Sequence, residues 1–208
     1  MTTNDYRNTE YCPKLENVTS KKKTLEDKIK EKHPRQKIIY NKVHVKDTEF
    51  NEEFCRIYNR KCAYCGVSMN VIPNKLFEVD HFIAESSFSS EIEAGKLSNL
   101  VLACYQCNRN KGEFLIEGEY IEKLNTDDGK IATVFYRDEN YYIRISKDYV
   151  GDKTINDFYN KLQLVHQTRR LDYLLDSMYG LYEKIKGTKQ GAKLAEGILL
   201  VQRKRNGF

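Results

Sequence analysis

The residues able to do chemistry are crowded between Cys62 and Gly112. They read C62-A-Y-C65-G66, then E78-V-D80-H81, then N99-L-V-L-A-C104-Y-Q-C107-N108-R-N-K111-G112. A Cys-x-x-Cys turn brings two thiolates to one side of a tight loop. Two such turns, Cys62/Cys65 and Cys104/Cys107, complete a tetrahedral soft-ligand set for zinc. Four thiolates leave the ion no open position, so this zinc is expected to be structural, replacing a core that so small a motif lacks. Gly66 to Ala103 spans 38 residues, longer than the spacer of a simple zinc ribbon, and this insert carries Asp80 and His81. A hard carboxylate beside an imidazole suits oxygen-preferring chemistry, distinct from the thiolate site. An isolated Asp-His dipeptide would mark no more than a surface turn. Here it lies between two cysteine pairs and is followed by Asn99 and Asn108.

Those residues need elements that draw separate segments together. Leu76 to Ile83 alternates as a strand that delivers Asp80 and His81 near its end. Asn99 to Ala103 is short and apolar and fits a second strand. Ala84 to Ser98 reads as a loop with one helical turn at Glu91 to Lys96. A helix is expected to begin near Cys107 and to carry Asn108 in its first turn. Upstream, Asp47 or Thr48 caps a helix running to about Arg60, with Phe50, Phe54 and Ile57 facing the first cysteine turn.

Four pieces of this text, C62-x-Y64-C65-G66, E78-V79-D80-H81, N99-L100-V101-L102-A103-C104 and C107-N108-x-x-K111-G112, resemble the HNH nucleases with a ββα-metal fold, in the subgroup stapled by a four-cysteine zinc. The resemblance covers roughly a quarter of the chain, with every element in the family's order. The last H of the name is Asn108 here, a neutral oxygen donor in place of an imidazole nitrogen. What the resemblance implies is a metal-dependent endonuclease acting on DNA. His81 would be the general base, an imidazole of ordinary pKa about 6.5 being suited to take a proton from water. Asp80 and Asn108 would hold a catalytic Mg²⁺ or Mn²⁺, with water and phosphate completing its shell. Asn99 would be the asparagine whose amide ties the loop and aims His81. Arg109 and Lys111, just past Asn108, would either contact phosphate or lie on a solvated helix face. Glu78 shares a strand face with Asp80 and is read as an acid behind the ligands.

The 208-residue chain is 40% hydrophobic and 31% charged, an ordinary soluble composition with enough length to bury a core. No apolar run approaches membrane-spanning length, so no membrane partner is expected. The start, M-T-T-N-D-Y-R-N-T-E, lacks an apolar secretion signal, and six cysteines with four assigned to zinc argue for a reducing, cytoplasmic setting. Cys12 and Cys55 read as buried or idle thiols. The net charge is +5, but Lys14 to Lys46 alone holds eleven Lys/Arg against four acids. Such an arm either attracts a polyanion through counterion release or is a solvated lysine-rich helix, and both readings stay open.

Around this centre, Met1 to about Asn17 reads as an extended lead-in, Thr24 to Lys32 as a short polar helix, and Ile38 to Val45 as a strand. His33 and His44 read as surface histidines. Ile131 to Tyr136 and Tyr141 to Ile145 flank R-D-E-N as a hairpin. Apolar stripes over 155–162, 171–185 and 194–201 predict three helices, with a break at Gly187. The expectation is an α+β chain: a basic arm over 1–46, an HNH nuclease domain with zinc knuckles over 47–125, and a β-hairpin and α-helical subdomain over 126–208. The stretches I155-N-D-F-Y-N-K-L-Q-L and R169-R170-L-D-Y-L-L are similar to the region behind the nuclease in bacterial anti-phage HNH effectors, including the Septu nuclease component. That likeness implies a partner, an ABC-type ATPase, docking on the C-terminal helices. The opposing reading is a zinc-stabilised nucleic-acid-binding module without turnover, although pure binding needs neither Asp80 nor His81.

Overall fold

Two short antiparallel strands and one helix hold the motif together in the computed structural model, which describes residues 5–207. Strand β1 (Phe77–His81) pairs with β2 (Leu100–Cys104), with Phe77 opposite Cys104 and His81 opposite Leu100. Every residue of β2 is buried, whereas β1 turns Glu78 and His81 partly outward. The loop between the strands carries helix α4 (Glu91–Ala94), which comes after α1 (Val18–Lys32), α2 (Tyr40–Val43) and α3 (Glu49–Ile57). Helix α5 (Tyr105–Lys111) follows β2 without a break, so Cys104 ends the strand while Cys107 and Asn108 ride on the helix. Asn108 is therefore four residues in, because the helix starts two residues ahead of Cys107.

Helix α3 starts as its sequence predicts. The Thr48 hydroxyl accepts from the Asn51 N–H, and Phe50, Phe54 and Ile57 are buried. Helix α1 begins six residues before the expected start because its inner face includes a lysine. Val18, Lys22, Leu25 and Ile29 are all buried, and the Lys22 ammonium pairs with Asp127. A lysine stem packs like a hydrocarbon once its charge finds a partner. Ile38 to Val45 is not a strand but contains the short helix α2. Its buried residues, Ile39 and Val43, are four apart, and the Tyr40 N–H bonds the Gly95 carbonyl rather than a strand edge.

The lead-in is irregular over the described residues, yet it is packed into the molecule. Tyr6, Arg7, Thr9 and Cys12 are buried, while Met1 to Asn4 lie outside the described residues. After the motif come α6 (Tyr120–Lys123), α7 (Ile131–Val134), a hairpin of β3 (Phe135–Arg137) and β4 (Ile143–Ile145), α8 (Lys153–Lys161), α9 (Gln167–Ile185) and α10 (Lys189–Arg205). The hairpin is shorter than its apolar text, Ile131 to Val134 having coiled into α7. The whole is an α+β fold, with one core running from Tyr6 and Leu25 through Phe54, Tyr64 and β2 to Phe135 and Phe158. Among the described residues no helix is long and apolar enough to cross a membrane.

Candidate active site

The four cysteines converge where the first turn meets the β2–α5 junction. The Cys62 N–H bonds the Val67 carbonyl, the Gly66 N–H bonds the Cys62 carbonyl, and the Ala63 N–H reaches Leu102 in β2. These bonds fold the first turn onto the strand that ends in Cys104. All four Sγ atoms lie within 4.8 Å of one another and are buried. Cys65 and Cys104 are 3.8 Å apart. A zinc–sulfur bond of ~2.3 Å in a tetrahedron sets sulfurs ~3.8 Å apart, so the cluster has the donor type and the spacing that zinc requires. Cys12 and Cys55 are also buried, away from this cluster. Burial raises the Cys55 thiol to about 11, which leaves it unreactive at neutral pH.

The last two residues of β1 and the middle of α5 form a second site. Asp80, His81, Asn108, Arg109 and Lys111 line one open cleft of about 270 Å³, together with Glu85 and Glu113. Asp80 is 8% exposed. Its Oδ2 accepts from the Tyr64 hydroxyl at 2.6 Å, and the Lys111 ammonium lies 3.2–3.3 Å from the carboxylate oxygens. Burial raises the pKa of Asp80, while Lys111, Tyr64 and His81 pull it back. Lys111 also donates to the His81 carbonyl at 2.7 Å and is 1% exposed. It is thus not on a solvated helix face, and its ammonium serves as the internal counter-charge of Asp80.

His81 is half-buried. Burial lowers its pKa below the ordinary value of 6.5, Lys111 adds to the lowering, and Glu85 and Asp80 oppose it. The imidazole is therefore neutral at pH 7 and can accept a proton. Among the described residues no hydrogen bond reaches its ring. Instead it stacks on Tyr40 at 4.7 Å and 28°, and Tyr40 stacks in turn on His44 at 4.6 Å and 5°.

Asn99 does not line the cleft. Its Oδ1 accepts from the Ile83 N–H at 2.9 Å, and its Nδ2 donates to the carbonyls of Ile83 and Ala94 at 3.0 Å. With the Phe82 N–H on its own carbonyl at 2.7 Å, it closes the chain immediately after His81. Glu78 accepts from Asn108 Nδ2 at 2.5 Å and from Arg109 at 3.2 Å. A carboxylate only accepts, so this bond fixes the amide with its nitrogen toward Glu78 and its oxygen free. The Arg109 side chain is 63% exposed and lies over the Tyr105 ring.

Three participants escape the sequence reading. Tyr64 lies inside the first Cys-x-x-Cys and is part of the matching text, but nothing in the sequence assigns its hydroxyl a partner; the structure pairs it with Asp80. Tyr40 sits in a segment read as a strand, and Arg169, from the distant α9, points its guanidinium at the cysteines. Only Tyr64 carried a signal, its position between two ligands.

Residues 62–114 match the family model described as HNH endonuclease. No curated protein and no solved structure matches the chain. The matched span begins at Cys62 and ends just past Gly112, so it takes in both the cysteine cluster and the cleft.

Proposed function

We propose that this chain is a metal-dependent endonuclease that hydrolyses phosphodiester bonds in DNA. The observation that carries the reading is the single cleft shared by Asp80, His81 and Asn108, inside a span that matches HNH endonucleases. The Asp80 carboxylate and the Asn108 amide oxygen are hard donors of the kind Mg²⁺ or Mn²⁺ takes, with open space beside them for water and phosphate. Such an ion, when bound, supplies charge neutralisation at the phosphate and at the leaving oxygen.

The chain's own residues supply aim and proton transfer. His81 accepts the proton of the attacking water on an imidazole nitrogen, which its neutral state at pH 7 permits. Asn99 holds the backbone that follows His81, and Tyr40 packs against the imidazole face. Glu78 keeps the Asn108 oxygen available. Arg109, exposed at the rim, contacts a phosphate next to the scissile one. Lys111 balances Asp80 from within and does not contact substrate.

The decisive measurement is cleavage of plasmid DNA with Mg²⁺ or Mn²⁺, beside a chelated control. Turnover is expected only with the divalent ion, and His81→Ala is expected to cut about 10²–10⁴-fold more slowly while keeping its zinc and its DNA affinity. A parent that binds DNA but never cuts it would favour a zinc-stabilised binding module. A His81→Ala protein cutting at the parental rate would remove the base assigned here. An anti-phage effector working beside an ABC-type ATPase is the finer proposal, drawn from the resemblance of 155–164 and 169–175. It predicts co-purification with that ATPase, and a nuclease fully active alone would count against it.

A further inference from the structure

Arg169 lies in the first turn of α9, more than sixty residues beyond the last cysteine, and is 2% exposed. Its Nη1 points at Cys65 Sγ, 3.5 Å away, and Cys104 Sγ, 3.8 Å away, so one guanidinium nitrogen reaches a sulfur of each cysteine turn. Its Nη2 donates to the Leu162 carbonyl at 3.2 Å, and its Nε has no partner. Among the described residues no carboxylate pairs with it. The nearest acid on its own helix, Asp172, is taken by Arg205 at 2.5 Å.

A second guanidinium stands behind it. Arg137 donates to the carbonyls of Tyr6 and Tyr141 at 2.7 Å and of Arg169 at 3.4 Å, and packs over the Tyr173 ring, again without a carboxylate. Two such buried cations with no carboxylate paired to them among the described residues would be unfavourable unless another anion compensated them. Zinc held by the four thiolates would be such an anion, since four negative sulfurs around a doubly charged ion leave a net double negative charge. The signs and the magnitudes balance.

We propose that Arg169 is a working part of the zinc site, donating N–H···S bonds across both cysteine turns, with Arg137 as the second compensating charge. The C-terminal helical part is then bound electrostatically to the motif, and metal binding is coupled to the docking of α9. This inference concerns the cysteine cluster alone and stands or falls apart from the nuclease reading.

The test is zinc affinity, measured by competition with a chromophoric chelator under reducing conditions, on the full chain and on Arg169→Met and Arg169→Gln. The parent is expected to hold one zinc per chain, and each neutral variant to lose roughly 10–100-fold in affinity, as when the outer partners of other metal ligands are removed. Arg170→Met, one position along and directed at the Asn140 carbonyl, is expected to keep parental affinity. Melting with and without metal separates a zinc role from simple packing. Arg169→Met should lower the melting temperature more in the zinc-loaded protein than in the stripped one, whereas a packing residue would lower both equally. Parental affinity in a folded neutral variant, or equal losses with and without metal, would overturn the proposal. Should neither neutral variant fold, Arg169→Lys keeps the charge and most of the stem but loses the second nitrogen, whose bond to the Leu162 carbonyl holds the group aimed at the two sulfurs. It should surrender zinc to the chelator faster than the parent, and an unchanged rate would overturn the proposal as well.

Discussion

Tyr40 covers one face of His81, and no hydrogen bond among the described residues competes to orient that ring. In the mechanism proposed above His81 is the base; removing the tyrosine ring frees its imidazole to rotate, and a displacement of about 1 Å in a base costs on the order of a hundredfold in rate. Tyr40→Ala is accordingly expected to lower the single-turnover cleavage rate by about that factor with DNA affinity unchanged. Tyr40→Phe, which keeps the stack and loses only the hydroxyl, should cut at close to the parental rate. A Tyr40→Phe as slow as Tyr40→Ala would mean the hydroxyl matters rather than the ring. Lys111 teaches the complementary point. Its place after Asn108 left phosphate contact and a solvated helix face equally open, and the structure buries its stem and pairs its ammonium with Asp80 at the cleft wall.

Among the elements, the first cysteine turn depends most on its neighbours. Gly66 has φ of +79°, and a Cβ there would come within 2.7 Å of the Arg7 backbone. Gly66→Ala combines left-handed strain with a backbone clash that no side-chain rotation relieves. A loss of about 2–4 kcal/mol is expected, read as a melting temperature about 5–15 °C lower. An unchanged melting curve would show that the lead-in can lift away without cost. Helix α1 sets the opposite limit on what charge can say. Lys22, Lys28, Lys30 and Lys32, four of the arm's eleven cations, are in ion pairs within the molecule. The exposed pairs contribute little to stability, being screened by solvent, yet they reduce the charge left for a polyanion.

At the scale of the whole molecule, three distant segments meet at Asp176, which is fully buried on α9. It accepts from the Thr9 hydroxyl at 3.1 Å and the Ser68 hydroxyl at 2.5 Å. The Lys61 ammonium faces it at 3.1 Å, a contact of opposite charges without the angle of a directed hydrogen bond. Asp176→Asn leaves Lys61 as an uncompensated buried charge, for which about 3–5 kcal/mol is the expected loss. Denaturant titration checks this, and the double variant with Lys61→Met should recover a large part of the loss. A single variant as stable as the parent would show that water or another anion already serves Lys61. Arg7 links the same regions from the other side, bonding the carbonyls of Ala63 and Thr126 while Asp5 holds its remaining nitrogens.

The motif was legible because its chemistry is local. Each Cys-x-x-Cys makes its own turn, an alternating run makes its own strand, and Thr48 caps its own helix, so the cysteine turns, β1, β2, α3, α8, α9 and α10 could be drawn from neighbouring residues alone. What surrounds the motif was not legible, because burial is decided by partners far along the chain. Lys22 looks solvated until Asp127 is beside it, Ile38 to Val45 looks extended until Gly95 offers a carbonyl, and nothing next to Arg169 in the sequence announces the two sulfurs that face it. Spacing determined which side chains could bind a metal, and only tertiary contact decided which distant charges and rings hold them there. A charge or an aromatic face acts through space, and nothing in the linear order records what it will meet.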